Sequence, residues 1–270
     1  MENLLRKSPF SNSQSSAYTS IIDCIDSQPG LREKDTMLNF WAAFRFLTLA
    51  ADASKPDAKR AGLGVLCFPL AGLLLGLMLV VVNRVIAPYL STEILALVLL
   101  MILILATGGH HLAGTQETFN TLPKTTSPTN SVDHWHIYGL LAVLLVVFFK
   151  VHSIEATGEG RAFSLLLTPL LARWSLVLFL FGATTVADDA VRRVAENMRS
   201  WHLVAATIMS LGFGFFIAGV SALWVALCLS LFALLARSYL HRRAGVISLA
   251  NCGALIEISE ALSFTLFASL

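Results

Sequence analysis

Residues Ile94 to Thr121 read Ile-Leu-Ala-Leu-Val-Leu-Leu-Met-Ile-Leu-Ile-Leu-Ala and then Thr-Gly-Gly-His-His-Leu-Ala-Gly-Thr-Gln-Glu-Thr-Phe-Asn-Thr. The first half, Ile94–Ala106, carries no charge and no alternation of apolar with polar side chains. Such a run predicts a membrane helix, because a helix satisfies its own backbone hydrogen bonds where there is no water to do so. The second half changes character at once: paired glycines, paired histidines, hydroxyl and amide side chains, and Glu117. Ionisable groups at the mouth of a span are costly, and they mark a site. In a helix, His110, His111, Gly114, Glu117, Thr118 and Thr121 recur at three- and four-residue spacing, which sets His111, Gly114 and Thr118 near Glu117 on one face.

The same apolar pattern runs through the chain. Of 270 residues, 56% are apolar and 13% charged, about half the charge of a soluble domain. A span needs about 20 apolar residues. Spans are expected over Gly62–Val82, Ile94–Ala106, Ile137–Val151, Ala162–Val186, His202–Val220, Ser221–Leu235 and Gly253–Leu270. The expected fold class is all-α, a polytopic integral membrane bundle of six to seven transmembrane segments in one domain, residues 37–270. Gly72 and Gly76 form a GxxxG within the first span, a device for close helix packing. Met1–Thr36 is rich in Ser, Asn and Gln and has no apolar core of a secretory signal; it is expected to be a disordered, dispensable extension. Met37–Ala51, with Arg45 mid-run, suits a helix in the interface or re-entering the membrane. No basic patch interleaved with aromatics points to nucleic acid. Cys24, Cys67, Cys228 and Cys252 are scattered without metal or disulfide spacing, as small apolar residues are.

Lys and Arg set the orientation, since they gather in cytoplasmic loops. With the N-terminus inside, fifteen of the nineteen lie inside, the outside keeps Arg84, Lys150 and Arg161, and Arg173 sits within a span. This puts the loops around residues 110–133, 187–201 and 240–253 on one cytoplasmic face.

The stretch Thr107–Thr121 resembles the signature of the cobalamin synthase (adenosylcobinamide-GDP ribazoletransferase) family, roughly T-G-x-L-H-x-D-G-x-x-D-T-x-D-G. Thr107, Gly108, His111, Gly114 and Thr118 match in register, while the three aspartate positions fall on Ala113, Glu117 and Asn120 and the last glycine on Thr121. Further matches are Phe46-Leu47-Thr48, the Phe-Pro-Leu-x-Gly-x-x-x-Gly of Phe68–Gly76, Pro169 with Arg173-Trp174, and Gly253-Ala254-Leu255-Ile256-Glu257. Acids of the family pattern fall on Val132, beside Asp133, and on Ala250, beside Asn251.

The resemblance implies a bacterial inner-membrane transferase that joins adenosylcobinamide-GDP to α-ribazole or its 5′-phosphate and releases GMP. Transfer at a diphosphate is mostly positioning and charge neutralisation, so the expected cofactor is Mg²⁺ held by carboxylates. The candidate metal ligands are Glu117 and Asp133; the candidate catalytic residues are Glu117, His111 and Arg173. Asn120, Thr118, His134, Asn251 and Glu257 are the candidate substrate contacts. Arg173, charged inside a span, is expected to face a polar cavity, a phosphate or an acid such as Glu257. The implied partners are the corrinoid nucleotide, α-ribazole, the lipid bilayer and other membrane-bound proteins of cobalamin assembly. The replaced acids keep a second reading open: a diverged, catalytically inactive member that serves as a membrane structural partner or acts on another substrate. A transporter ranks last, since the chain has no two repeated halves with interrupted helices.

Overall fold

The computed structural model describes residues 58–121 and 135–270. The expectations for Met1–Thr36 and Met37–Ala51, and the candidates Asp133 and His134, lie outside the described residues. The elements are helices: α1 (Ala58–Ile86), α2 (Thr92–Ala106), α3 (His110–Thr121), α4 (Trp135–Ala156), α5 (Arg161–Leu180), α6 (Asp189–Asn197), α7 (Ser200–Ala218), α8 (Val220–Ala244) and α9 (Leu249–Ser269). Six described helices are long and apolar enough to cross a membrane, and α2 with α3 makes up to seven. The protein is therefore an all-α, multi-pass membrane bundle.

The polar half of the opening stretch forms a helix of its own. Gly108 and Gly109 both take positive φ, 60° and 69°, a conformation that side chains with a Cβ avoid. The chain turns there, and α3 leaves α2 at 85°. Thr107 closes α2 by donating its hydroxyl to Leu103 O at 3.1 Å.

Burial is arranged as lipid demands. Leu74, Leu77, Val81 and Val85 on α1, and Ile94, Leu97, Met101 and Leu105 on α2, are exposed at three- and four-residue spacing. These stripes face the region that hydrocarbon would occupy, so the contacts that hold the bundle must come from close packing and polar bonds between helices.

Both occur on α5 and α9. A Cβ at Gly72 would lie 2.2 Å from Pro169 O, and one at Gly76 2.3 Å from Leu166 O, so the GxxxG of α1 lies directly on the α5 backbone. A ladder of buried hydroxyls joins α5 to α9: Thr168 Oγ1 donates to Ser263 Oγ at 3.2 Å, and Ser175 Oγ lies 3.0 Å from Ser259 Oγ.

An ion cluster crosses the same seam. Arg173 Nη1 donates to Glu260 Oε1 at 2.7 Å, and Lys150 Nζ, from α4, bonds Glu260 Oε2 at 2.6 Å and also Glu257. All four side chains are buried. Two cations meet two carboxylates, which offsets a desolvation that either sign alone would not survive. This corrects the reading of Lys150 as an outside loop charge: α4 continues to Ala156, and Lys150 lies inside the bundle. It also refines the expectation for Arg173, whose direct partner is Glu260, one turn beyond Glu257.

Candidate functional site

The polar face of α3 packs on the start of α9. A Cβ at Gly114 would lie 2.8 Å from Ala250 O, and one at Gly253 would lie 3.3 Å from His111 Cα. Only two glycines let the backbones come this near. Asn251 Nδ2 then donates to Thr118 Oγ1 at 3.1 Å, while Asn251 Oδ1 accepts from Ser248 N at 2.9 Å. Ser248 returns a hydroxyl acceptor to Asn251 N at 3.3 Å, which completes a capping box at the α9 N-terminus.

A third segment joins them. Val186 pairs with Ile247 in a parallel bridge: Ala187 N donates to Ile247 O at 2.8 Å and Ile247 N to Thr185 O at 3.0 Å. The link from α5 to α6 is thereby fastened beside the link from α8 to α9. Asp188 follows, and its Oδ2 accepts from Leu249 N at 2.6 Å.

These three segments enclose a cavity of about 430 Å³, lined from α3 by His110, His111, Ala113, Gly114 and Glu117. Ala187 and Asp188 form a second wall, residues 248–250 with Cys252, Gly253 and Ile256 a third, and Leu176 of α5 the floor. The three loops that charge asymmetry set on one face therefore meet at one site.

The candidate residues fall in different places. Glu117 and His111 line the cavity, Glu117 exposed and His111 buried. Thr118 and Asn251 are buried behind its wall, bonded to each other. Asn120 turns toward α4, where its Oδ1 accepts from Gly139 N at 2.8 Å. Arg173 and Glu257 are not among the cavity walls and belong to the buried ion cluster. Within that cluster Arg173 Nε and Nη2 have no hydrogen-bond partner among the described residues. Ala113 and Ala250, two positions where the resemblance has acids, do line the cavity, as methyl groups.

His110, named with His111 in the helical spacing, also lines the cavity, whereas Asp188 is a cavity residue that the sequence does not single out. Asp188 stands in what the sequence presents as a merely charged loop, and no spacing ties it to His111 or Glu117. Only the bridge at Val186 and Ile247 brings it there.

Among the described residues no three His, Cys, Asp or Glu side chains cluster as metal ligands. Magnesium does not require such a cage, since one or two carboxylates with waters and substrate oxygens suffice. Glu117, exposed on the cavity, is a carboxylate of the kind that ion takes as a ligand.

The chain is similar throughout its membrane region to known proteins. Residues 39–268 match the family model described as cobalamin-5-phosphate synthase. An adenosylcobinamide-GDP ribazoletransferase of Geotalea daltonii is 25% identical over 231 residues, covering 83% of this chain and 94% of that protein. The protein of that name from Pseudomonas aeruginosa is 29% identical over 247 residues, with 84% and 96% covered. That from Synechococcus elongatus is 27% identical over 249 residues, with 88% and 98% covered. No solved structure matches the chain. A match over nearly the whole membrane region, with its signature helix forming a wall of a cavity where three loops meet, makes this chain a member of the cobalamin-5-phosphate synthase family.

Proposed function

We propose that the cavity between α3, α9 and the link before α6 is the active site of an adenosylcobinamide-GDP ribazoletransferase. The observation that carries this reading is the convergence of the family's signature helix, with Glu117 exposed, on the α9 N-terminus and its capped backbone. In the reaction a ribazole hydroxyl oxygen bonds to the phosphorus next to cobinamide. The bond from that phosphorus to the bridging oxygen breaks, GMP leaves with the electron pair, and the hydroxyl proton passes to a base.

Glu117 is the carboxylate that would hold Mg²⁺ here. The ion, when bound, neutralises charge on the diphosphate. His110 and His111 stand on the same wall, and an imidazole there is the base that would take up the hydroxyl proton. Gly114 and Gly253 carry no side chains that would fill the cavity wall. Arg173 fixes α5 against α9 through Glu260, and Glu257 fixes α4 against α9 through Lys150, rather than either touching phosphate.

The segments that lead from and into the cavity's second and third walls carry Arg192, Arg193 and Arg199, and Arg237, Arg242 and Arg243. This supports an inner-membrane orientation with the N-terminus and the motif loops in the cytoplasm, where nucleotide-activated substrates are made. Other membrane-bound proteins of cobalamin assembly are its proposed neighbours on that face. A second reading, a diverged member without this activity, draws on Ala113 and Ala250, which present methyl groups to the cavity.

Membranes containing this chain, given adenosylcobinamide-GDP and α-ribazole, test the proposal. Release of GMP with formation of the joined corrinoid, lost on chelation of Mg²⁺, is the expected result. Folded protein that releases no GMP beside an active relative would favour the diverged reading.

A further inference from the structure

We propose that Asp188 supplies a second carboxylate to this site and takes over from the acids absent at Ala113 and Ala250. The inference rests on the reading of the cavity as a site of diphosphate transfer.

Asp188 reaches the cavity by a route independent of the family motifs. The two backbone bonds of the Val186–Ile247 bridge fix the residues just before it beside the segment that enters α9. Its own carbonyl accepts from Arg192 N at 2.9 Å and so starts α6. Its side chain points the other way, where Oδ2 accepts from Leu249 N at 2.6 Å. Leu249 directly precedes Ala250, so the carboxylate sits next to the backbone position from which the family acid would project.

A helix cap explains part of this geometry. The α9 N-terminus, however, already has a reciprocal cap in Ser248 and Asn251. Asp188 engages one carboxylate oxygen with Leu249, and Oδ1 has no donor among the described residues. It is half-buried and lines the same cavity as Glu117, Ala113 and Ala250. A carboxylate that accepts from a backbone N–H at a helix N-terminus is held in one orientation. Two carboxylates lining one cavity are the protein share that magnesium takes when substrate phosphate completes its shell. The loss of acids from α3 and α9 is thus compensated from the second wall, that of Ala187 and Asp188, and the ligand class is a divalent cation bridged to phosphate oxygens.

The test is Mn²⁺ binding, read by electron paramagnetic resonance, to the full chain in lipid nanodiscs with GMP present. Asp188→Asn keeps an acceptor for Leu249 N, so the thermal midpoint should stay near that of the wild type while Mn²⁺ affinity falls about tenfold or more. Adding Ala250→Asp to Asp188→Asn should restore the affinity from the neighbouring position. Wild-type affinity in Asp188→Asn would overturn the proposal and leave Asp188 as a cap. Mn²⁺ binding that depends on Asp188, in a chain that makes no product, would uphold the cation site while the ribazole transfer fails. Product formed by Asp188→Asn at the wild-type rate and the same Mg²⁺ requirement would overturn the role of Asp188 while the transfer stands.

Discussion

Asn251 gives its side-chain N–H to the hydroxyl of Thr118 at 3.1 Å, across 133 residues of sequence. The same amide oxygen caps α9 through Ser248 N. One side chain therefore both starts α9 and fastens it to α3. Asn251→Ala should cost about 1–3 kcal/mol, the loss of a cap and of a buried hydrogen bond. Asn251→Asp keeps the acceptor, loses the donor, and should fall between. Thermal unfolding in detergent reads the order.

Close approach at the two glycines is a separate requirement. A Cβ at Gly114 meets the Ala250 carbonyl at 2.8 Å, whereas one at Gly212 of α7 meets nothing within 4 Å. Gly114→Val should lower stability by about 1–3 kcal/mol and shift α3 off the cavity wall, while Gly212→Ala should be near neutral. Thermal midpoints and GMP release, measured together on both variants, check the contrast.

The ion cluster predicts a sharper loss. Lys150 pairs with both Glu257 and Glu260, while Arg173 pairs with Glu260 and also donates to Pro169 O. Lys150→Met leaves a buried carboxylate without its cation and should cost about 3–5 kcal/mol. Glu257→Gln added to Lys150→Met should recover part of it, because an amide is far cheaper to bury than an unpaired charge. Expression level and thermal midpoint of the single and double variants measure the coupling.

Much of the fold is written in local pattern. Unbroken apolar runs give the spans, and the spacing of His111, Gly114 and Thr118 gives the buried face of α3. What was not legible is which turn of one helix meets which turn of another. Lys150 reads as a terminal charge because His152 and Glu155 follow it, yet α9 offers it two carboxylates more than a hundred residues on. Arg173 reads as facing a polar cavity, a phosphate or an acid such as Glu257; helix register gives it the acid Glu260. The chain from 187 to 201 reads as a charged loop but folds a short helix, Asp189–Asn197. Asp188 enters the site through a bridge between two loops, and neither loop carries a periodicity that announces the other.

The most direct test of the account compares transfer by wild type and Glu117→Gln in the same membranes across a Mg²⁺ titration. Glu117 is exposed on the cavity, so its amide variant should fold as the wild type does. GMP release should saturate with Mg²⁺ in the wild type and fall by about a hundredfold or more in Glu117→Gln. Equal rates in the two proteins, with the same Mg²⁺ dependence, would contradict the assignment of this cavity as the site of transfer.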